Sequence, residues 1–384
     1  MRKYKKWVYT AQGLLIASIV LIVAFNYVVD PYQIYRTPTA TGFNLKKLSN
    51  QEYLWKARLI ADNKPDVIFL GSSRTSRGLD PEYYTQITGD QAFNIGLSGA
   101  NVYVELRYLE YALLNNKSLK TVYVGLDFEG FNKYSETTML DGKRLESVSY
   151  IKNDLLSTLF TKQSLLDSIR VLKMNRSIIP PNVDEFLSNG SNSEVGLVTR
   201  NQQLLERQQN RFFDHLKDHL DSKQIYANYE LSHQHLDAFR KIVSLCSENN
   251  VDLHVFIQPS HALQWEGIQT SGLWGEFEEW KREVVTITEV WDFSGYNSIT
   301  TSPPDRFDTY LDQSHYRKHI GNYVFNRTLH INEESVPDDF GFLLTRDNIE
   351  EQLTRIRNER DKWEKANPDI VMKVEELKAS SPLP

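Results

Sequence analysis

Asp66-Val67-Ile68-Phe69-Leu70-Gly71-Ser72-Ser73-Arg74-Thr75 decides the fold of this 384-residue chain. Four apolar residues run directly into Gly-Ser-Ser. A short apolar run closed by glycine predicts a buried strand that ends in a tight turn. A serine at such a turn sits at the carboxyl end of a strand, where open α/β sheets build their sites. Near the far end of the folded region, Asp312-Gln313-Ser314-His315 offers a carboxylate and an imidazole three residues apart. On one helical turn or tight loop both can face the same side. A serine hydroxyl needs a base within hydrogen-bond reach, and the base needs an orienting carboxylate.

The segments around the serine alternate between strand and helix. Residues 67–70 predict a first strand, 92–95 a short second one, and Thr121–Leu126 a β-branched third. Between the last two, Val102, Leu106, Leu109 and Leu113 fall at helical spacing. Strand, helix, strand in this order implies a parallel sheet with helices on its faces. The pattern breaks over about 131–230, read as a largely helical insertion over or beside the sheet. Within it, 182–199 is rich in Asn, Ser and Gly. The alternation resumes with a helix over 232–249, a strand at Asp252–Ile257, a helix at Trp274–Ile287, a last strand at 290–293 and a helix running to 329. The tail, 336–384, is set apart. Its residues 347–365 are dense in Glu, Arg and Lys, with Ile349, Leu353, Ile356 and Trp363 as a narrow apolar stripe. That pattern fits a solvated helix packed on the domain, or a helix that meets a partner. The last residues, 379–384, are expected to be disordered.

Composition bounds the function. An apolar fraction of 40% can fill a sizeable core, and a net charge of −6 argues against nucleic acid as a partner, since phosphate binding needs a basic footprint. The lone cysteine, Cys246, reads as a small buried apolar residue rather than a nucleophile. At the N-terminus a basic tip (1–6) carries Arg2, Lys3, Lys5 and Lys6. Residues 7–29 follow without a single charge. Those 23 residues are long enough to cross a hydrocarbon core, and Trp7, Tyr9 and Tyr27 flank them as interfacial aromatics do. The positive tip predicts a cytoplasmic N-terminus with the rest of the chain outside. A cleaved signal peptide is the rival reading, but Ala24-Phe25-Asn26-Tyr27 is a poor cleavage site. A connector at 30–50 then leads into the main domain, 51–335.

Other candidates have bland alternatives. His215 and His219 are four apart, but no Glu completes a metal-binding H-E-x-x-H, so a solvated helix face is the expectation. His233 and His235 mark a helix start. Gln258-Pro259-Ser260-His261 follows a strand, which gives Gln258 and His261 either a supporting role at the site or a loop cap. Trp265, Trp274 and Tyr296 fit a sugar platform or ordinary packing. No phosphate-binding loop, G-x-G-x-x-G or G-x-S-x-G is present, which disfavours nucleotide enzymes and the α/β-hydrolase fold.

Two more segments complete an ordered set: Asn94-Ile95-Gly96-Leu97-Ser98-Gly99 and Val122-Tyr123-Val124-Gly125-Leu126-Asp127. With the serine and D-x-x-H segments they resemble the four blocks of the SGNH (GDSL-type) hydrolase superfamily, over roughly 66–329 without the insertion. The resemblance implies a three-layer α/β/α, doubly wound, mostly parallel sheet of flavodoxin-like kind. It implies Ser73 as nucleophile with Ser72 in place of the family's usual Asp, Gly99 as a backbone oxyanion donor, and Asp312 and His315 as the rest of a triad. It implies no cofactor and no metal. The third block departs from the family's Gly-x-Asn-Asp, because the Asn position falls on Asp127. An ionised carboxylate cannot donate and would repel an oxyanion, and loss of one donor costs about 100- to 1000-fold in rate. The Gly-Ser-Ser start, with Arg74 next, and the anchor look like the membrane-anchored branch that is similar to the alginate O-acetylation proteins and DltD. Asp30-Pro31-Tyr32 and Trp291-Asp292-Phe293-Ser294-Gly295-Tyr296-Asn297 also look like that branch, which makes Tyr296 and Asn297 supporting candidates. That branch implies a membrane serine O-acyltransferase, O-acetyl in the first instance, with an acyl-Ser73 intermediate. Its partners would be an exported polysaccharide or other acylated polymer and a multi-spanning membrane acyltransferase. A carbohydrate acyl esterase uses the same residues, and an inactive polymer-binding or partner-binding scaffold is the reading from another class.

Overall fold

The computed structural model describes residues 2–48, 51–135, 155–156, 158–176, 187–192, 208–304 and 308–380. Among the described residues six strands form one sheet: β1 Val67–Gly71, β2 Ala92–Asn94, β3 Thr121–Leu126, β4 Asp252–Ile257, β5 Val290–Asp292 and β6 Phe342–Leu344, in the order β2-β1-β3-β4-β5-β6. All neighbours are parallel except β5 and β6. The helices are α1 Arg2–Val29, α2 Glu52–Asn63, α3 Ser73–Gly78, α4 Pro81–Thr88, α5 Val102–Asn115, α6 Lys162–Arg176, α7 Gln208–Asp221, α8 His233–Glu248, α9 Ala262–Thr270, α10 Trp274–Ile287, α11 Lys318–Leu329, α12 Ile349–Ala366 and α13 Pro368–Ala379.

β1 and β3 are buried along their whole length. Only a strand covered on both faces can carry an unbroken apolar run, which is why 67–70 and 121–126 read so clearly. Gly71 ends β1 with φ at +149°, and a Cβ there would lie 2.1 Å from Thr75 Oγ1. Only glycine fits that turn. Ser72 then caps α3 by accepting from Arg74 N–H at 3.2 Å. From β1 the chain goes outward to β2, then returns past β1 to β3 and on to β4 and β5. The strand order therefore reverses between β1 and β3.

One finding differs from the sequence reading. The last strand is not the one expected at 290–293 but β6, which lies in the tail and pairs antiparallel with β5 from Phe342↔Asp292 to Leu344↔Val290. The sheet thus extends past residue 335. The connector packs against α6. Val29, Tyr32, Ile34 and Leu48 bury together with Val171 of α6 in a small second core. The charged helix α12 packs on the domain through Ile349, Leu353 and Ile356, while Arg282 and Arg357 pair with Glu350 and Glu278 across its side. Cys246 is buried. Of the polar stretch 182–199, residues 187–192 dock beside β2, with Asn94 N–H donating to the Asn189 carbonyl at 2.8 Å. The remainder of that stretch and residues 381–384 lie outside the described residues.

Asp292, at the end of β5, holds the fully buried Lys281 of α10 at 2.7 Å, and the Lys281 ammonium also donates to Ser294 Oγ at 2.8 Å. Breaking such a pair strands a charge in the core, at about 3–5 kcal/mol. Asp292→Ala should therefore lower unfolding stability by that amount in denaturant titrations of the detergent-solubilised chain. The double variant Lys281→Met/Asp292→Leu should recover most of it, and equal losses in both would refute the pairing.

Candidate active site

The exits of β1 and β3 and one distant loop build the site. β1 delivers Ser73 as the first residue of α3. β3 runs into Asp127 and a 3₁₀ turn, Phe128–Phe131, that carries Glu129. The loop is held at its base by the Tyr310–Tyr316 bridge and by Leu311 N–H donating to the His315 carbonyl at 2.8 Å. Inside it Asp312 Oδ1 accepts from the backbone N–H of Ser314 at 3.0 Å and of His315 at 2.9 Å. Asp followed closely by Ser and His folds this way because the carboxylate closes its own turn.

That turn presents a relay. Ser73 Oγ lies 2.8 Å from His315 Nε2, and His315 Nδ1 lies 2.8 and 2.9 Å from the two Asp312 oxygens. With the Nδ1 proton directed at the carboxylate, Nε2 accepts the serine proton. Burial raises the Asp312 carboxyl, but the facing imidazoles of His315 and His215 and the Arg211 guanidinium hold it well below the usual range. Burial lowers His315 to about 4, against the opposing pull of Asp312, so the imidazole is neutral near pH 7. Beside the relay is a cavity of about 260 Å³, lined among others by Ser73, Arg74, Gly99, Asp127, Glu129 and His219. Gly99 sits in the turn before α5 with φ at +68°.

Asp127 does not act as a lone charge. Arg74 Nη1 pairs with its Oδ1 at 2.9 Å, and Arg74 Nη2 reaches Glu129 Oε1 at 3.2 Å. Burial raises the Asp127 carboxyl to about 6, while Arg74 pulls it down and Glu129 pushes it up. The expected repulsion of an oxyanion by Asp127 is therefore offset by a guanidinium at contact distance. Glu129 Oε1 also accepts from Tyr226 Oη at 3.0 Å and from Gln264 Nε2.

The supporting candidates divide. Gln258 Nε2 donates to Thr75 Oγ1 at 2.7 Å, and its Oε1 accepts from Tyr316 Oη at 2.7 Å, which ties β4 to α3 and to the triad loop. His261 is a loop cap: its Nδ1 accepts from Leu263 N–H at 3.1 Å, and its own backbone N–H donates to the Gln313 carbonyl at 3.0 Å. Tyr296 and Asn297 do not line the cavity. Asn297 Oδ1 caps the next turn through Thr300 N–H at 2.9 Å, and Tyr296 packs on Trp363. Trp265 is buried in the core and Trp274 stacks under Arg360, so neither forms a platform there.

Helix α7 was read as a solvated face and is not one. Arg211, His215 and His219, each four apart, all face the site. Arg211 Nη2 lies 3.6 Å and His215 Nδ1 4.0 Å from Asp312, and His215 Nδ1 bonds Gln313 Oε1 at 2.9 Å. His219 is buried 4.0 Å from Glu129, and burial lowers its imidazole well below the usual value. The i, i+4 spacing was the available signal. His215, Asp312 and His315 also bring ligand atoms within 4.8 Å of one another. In this arrangement His315 is bonded to Asp312 and Ser73, and His215 Nδ1 to Gln313, so each of these atoms already has a protein partner.

No protein-family model and no curated protein sequence matches the chain.

The pH consequence of the relay can be read directly. Below about 4 His315 is protonated and cannot accept the Ser73 proton; above it the base is available. The rate of Ser73 labelling by a fluorophosphonate probe should fall as pH drops through about 4, with Ser73→Ala unlabelled throughout. A midpoint near the ordinary imidazole value of about 6.5 would contradict the buried, neutral base.

Proposed function

We propose that the chain is a membrane-anchored serine O-acyltransferase of SGNH type that moves an acyl group, acetyl in the first instance, onto an exported cell-surface polysaccharide. The observation that carries this reading is the Ser73–His315–Asp312 relay at hydrogen-bond distances beside a cavity. The reversal of strand order between β1 and β3 supports the doubly wound, flavodoxin-like arrangement, whose ligands sit where the order reverses. A helix long and apolar enough to cross a membrane, with basic residues at its start, supports the anchor and the export of the domain.

In the first half-reaction His315 Nε2 takes the Ser73 proton as Oγ attacks the donor carbonyl. The oxyanion accepts from the Gly99 and Ser73 backbone N–H groups. His315 then protonates the leaving group, and acyl-Ser73 remains. In the second half a sugar hydroxyl gives its proton to His315 and attacks the acyl carbon, which releases Ser73. Asp312 stays ionised and steadies the imidazolium in both halves. A cavity of about 260 Å³ lies below the range of roughly 300–1,000 Å³ common for drug-sized ligands, which favours a short acyl chain. Its carboxylates, Gln224 and Ser135 are acceptors and donors of the kind sugar hydroxyls use.

Ser73→Ala or His315→Ala should lower acyl transfer by about 10⁴-fold or more. Undiminished polymer acylation in cells that carry Ser73→Ala would defeat the enzyme reading and leave a scaffold. Transfer separates from hydrolysis when the purified chain meets an acetyl ester with and without oligosaccharide. We expect acetylated sugar to form at the expense of free acetate; fast acetate release with no sugar product identifies an esterase instead.

A further inference from the structure

We infer that α6 and the helical residues just before it form a second membrane contact, lying in the outer headgroup layer beside the end of α1. The inference rests on the reading of α1 as a membrane span. Trp7 to Asn26 is 20 residues, about 30 Å of helix, which matches one hydrocarbon thickness. Asn26 therefore marks the outer boundary. At that level one side of α1 meets the domain: Asn26 is 1% exposed, donates to the Leu159 carbonyl at 2.8 Å and accepts from Ser168 Oγ at 2.9 Å, while Tyr27 and Val28 stay exposed on the other side. Tyr35, whose hydroxyl lies 2.7 Å from Thr158 Oγ1, packs its ring against Tyr27 at 5.3 Å. The far end of α6 is tied to the connector, where Asn175 makes two bonds of 2.8 Å to the Lys46 backbone.

Four apolar side chains are left in solvent at the near end: Leu156 at 55% exposure, Phe160 at 57%, Leu166 at 48% and Ile169 at 37%. They are not core, and they stand beside the surface that α1 offers to lipid. Lys162, Arg170, Lys173 and Arg176 are exposed on the same helix. Its single acidic residue, Asp167, is turned inward and accepts from Tyr32 Oη at 2.7 Å. An apolar edge with a purely basic exposed charge is the composition of a helix that lies in the interface and meets anionic lipid phosphates. Continuity with α1 and the sign of the charge make the occupant lipid rather than protein.

The test uses the full chain in phosphatidylcholine–phosphatidylglycerol vesicles that contain a nitroxide-labelled lipid. Cys246 is buried, so one added cysteine takes an environment-sensitive fluorophore. Leu166→Cys should be quenched at least half as strongly as Ile16→Cys in α1, whereas Met372→Cys on α13 should not be. Quenching at 166 should weaken by twofold or more when phosphatidylglycerol is omitted. If 16 is quenched and 166 behaves like 372, the second contact does not exist. If 16 is not quenched, the span itself fails and the inference falls with it. If 166 is shielded from both lipid and aqueous quenchers only in native membranes, a protein holds the patch and the lipid assignment is wrong.

Discussion

A guanidinium buried between two carboxylates is the contact on which this centre depends. Arg74 follows Ser73 directly, and its two terminal nitrogens reach Asp127 and Glu129 after β3. One side chain thereby sets the distance between the exits of β1 and β3. Glu129 passes the constraint on, to Tyr226 in the segment after α7 and to Gln264 in α9. Each of these ions alone would cost several kcal/mol to bury, so the cluster holds only as a whole. A lysine could not replace Arg74, because a point charge lacks the fork that engages two carboxylates at once.

The sheet explains why the chemistry collects where it does. β1 and β3 are covered on both faces, so no side chain within them can meet a ligand. The polar groups that line the cavity appear as the strands end. The order reverses between these two strands, so the helices that follow them leave in opposite directions and open a crevice. Ser73 and Asp127 are the residues at its edges. His315 comes from 242 residues away, on a turn that Asp312 closes with its own carboxylate. That turn is held by its own bonds, and Arg211 and His215 of α7 approach Asp312 within it.

Legibility followed the range of each signal. The strand at 67–70 and its glycine turn are local patterns, and so is the Asp-x-x-His turn; the structure brings both together. β6 was missed because three residues, one of them exposed, carry no readable period, and only its neighbour β5 makes them a strand. Helix α7 shows the opposite failure. Its spacing put His215 and His219 on one face, but periodicity does not say what a face meets. The partner, Asp312, lies about 100 residues on, beyond any sequence pattern. Asp127 was read by its own charge, and the correction came from Arg74, which β-sheet pairing rather than sequence distance puts beside it.

The junction with α1 limits how the centre can work. Asp30 ends the helix at φ +48° and accepts from the backbone N–H of Ile34 and Tyr35. Lys47 then donates to the Val29 and Asp30 carbonyls at 2.7 and 2.9 Å, so a cation caps the negative end of the helix dipole. Asn44 adds bonds to the same carbonyl end. A chain of this kind is not a tether. The residues that leave α1 are bonded to those that enter the domain, and α6 packs along its last turns. On the proposed reading, the catalytic cavity therefore keeps one orientation toward the bilayer. Donor and acceptor must come to it in turn, and the relay of Ser73, His315 and Asp312 stays assembled while they do.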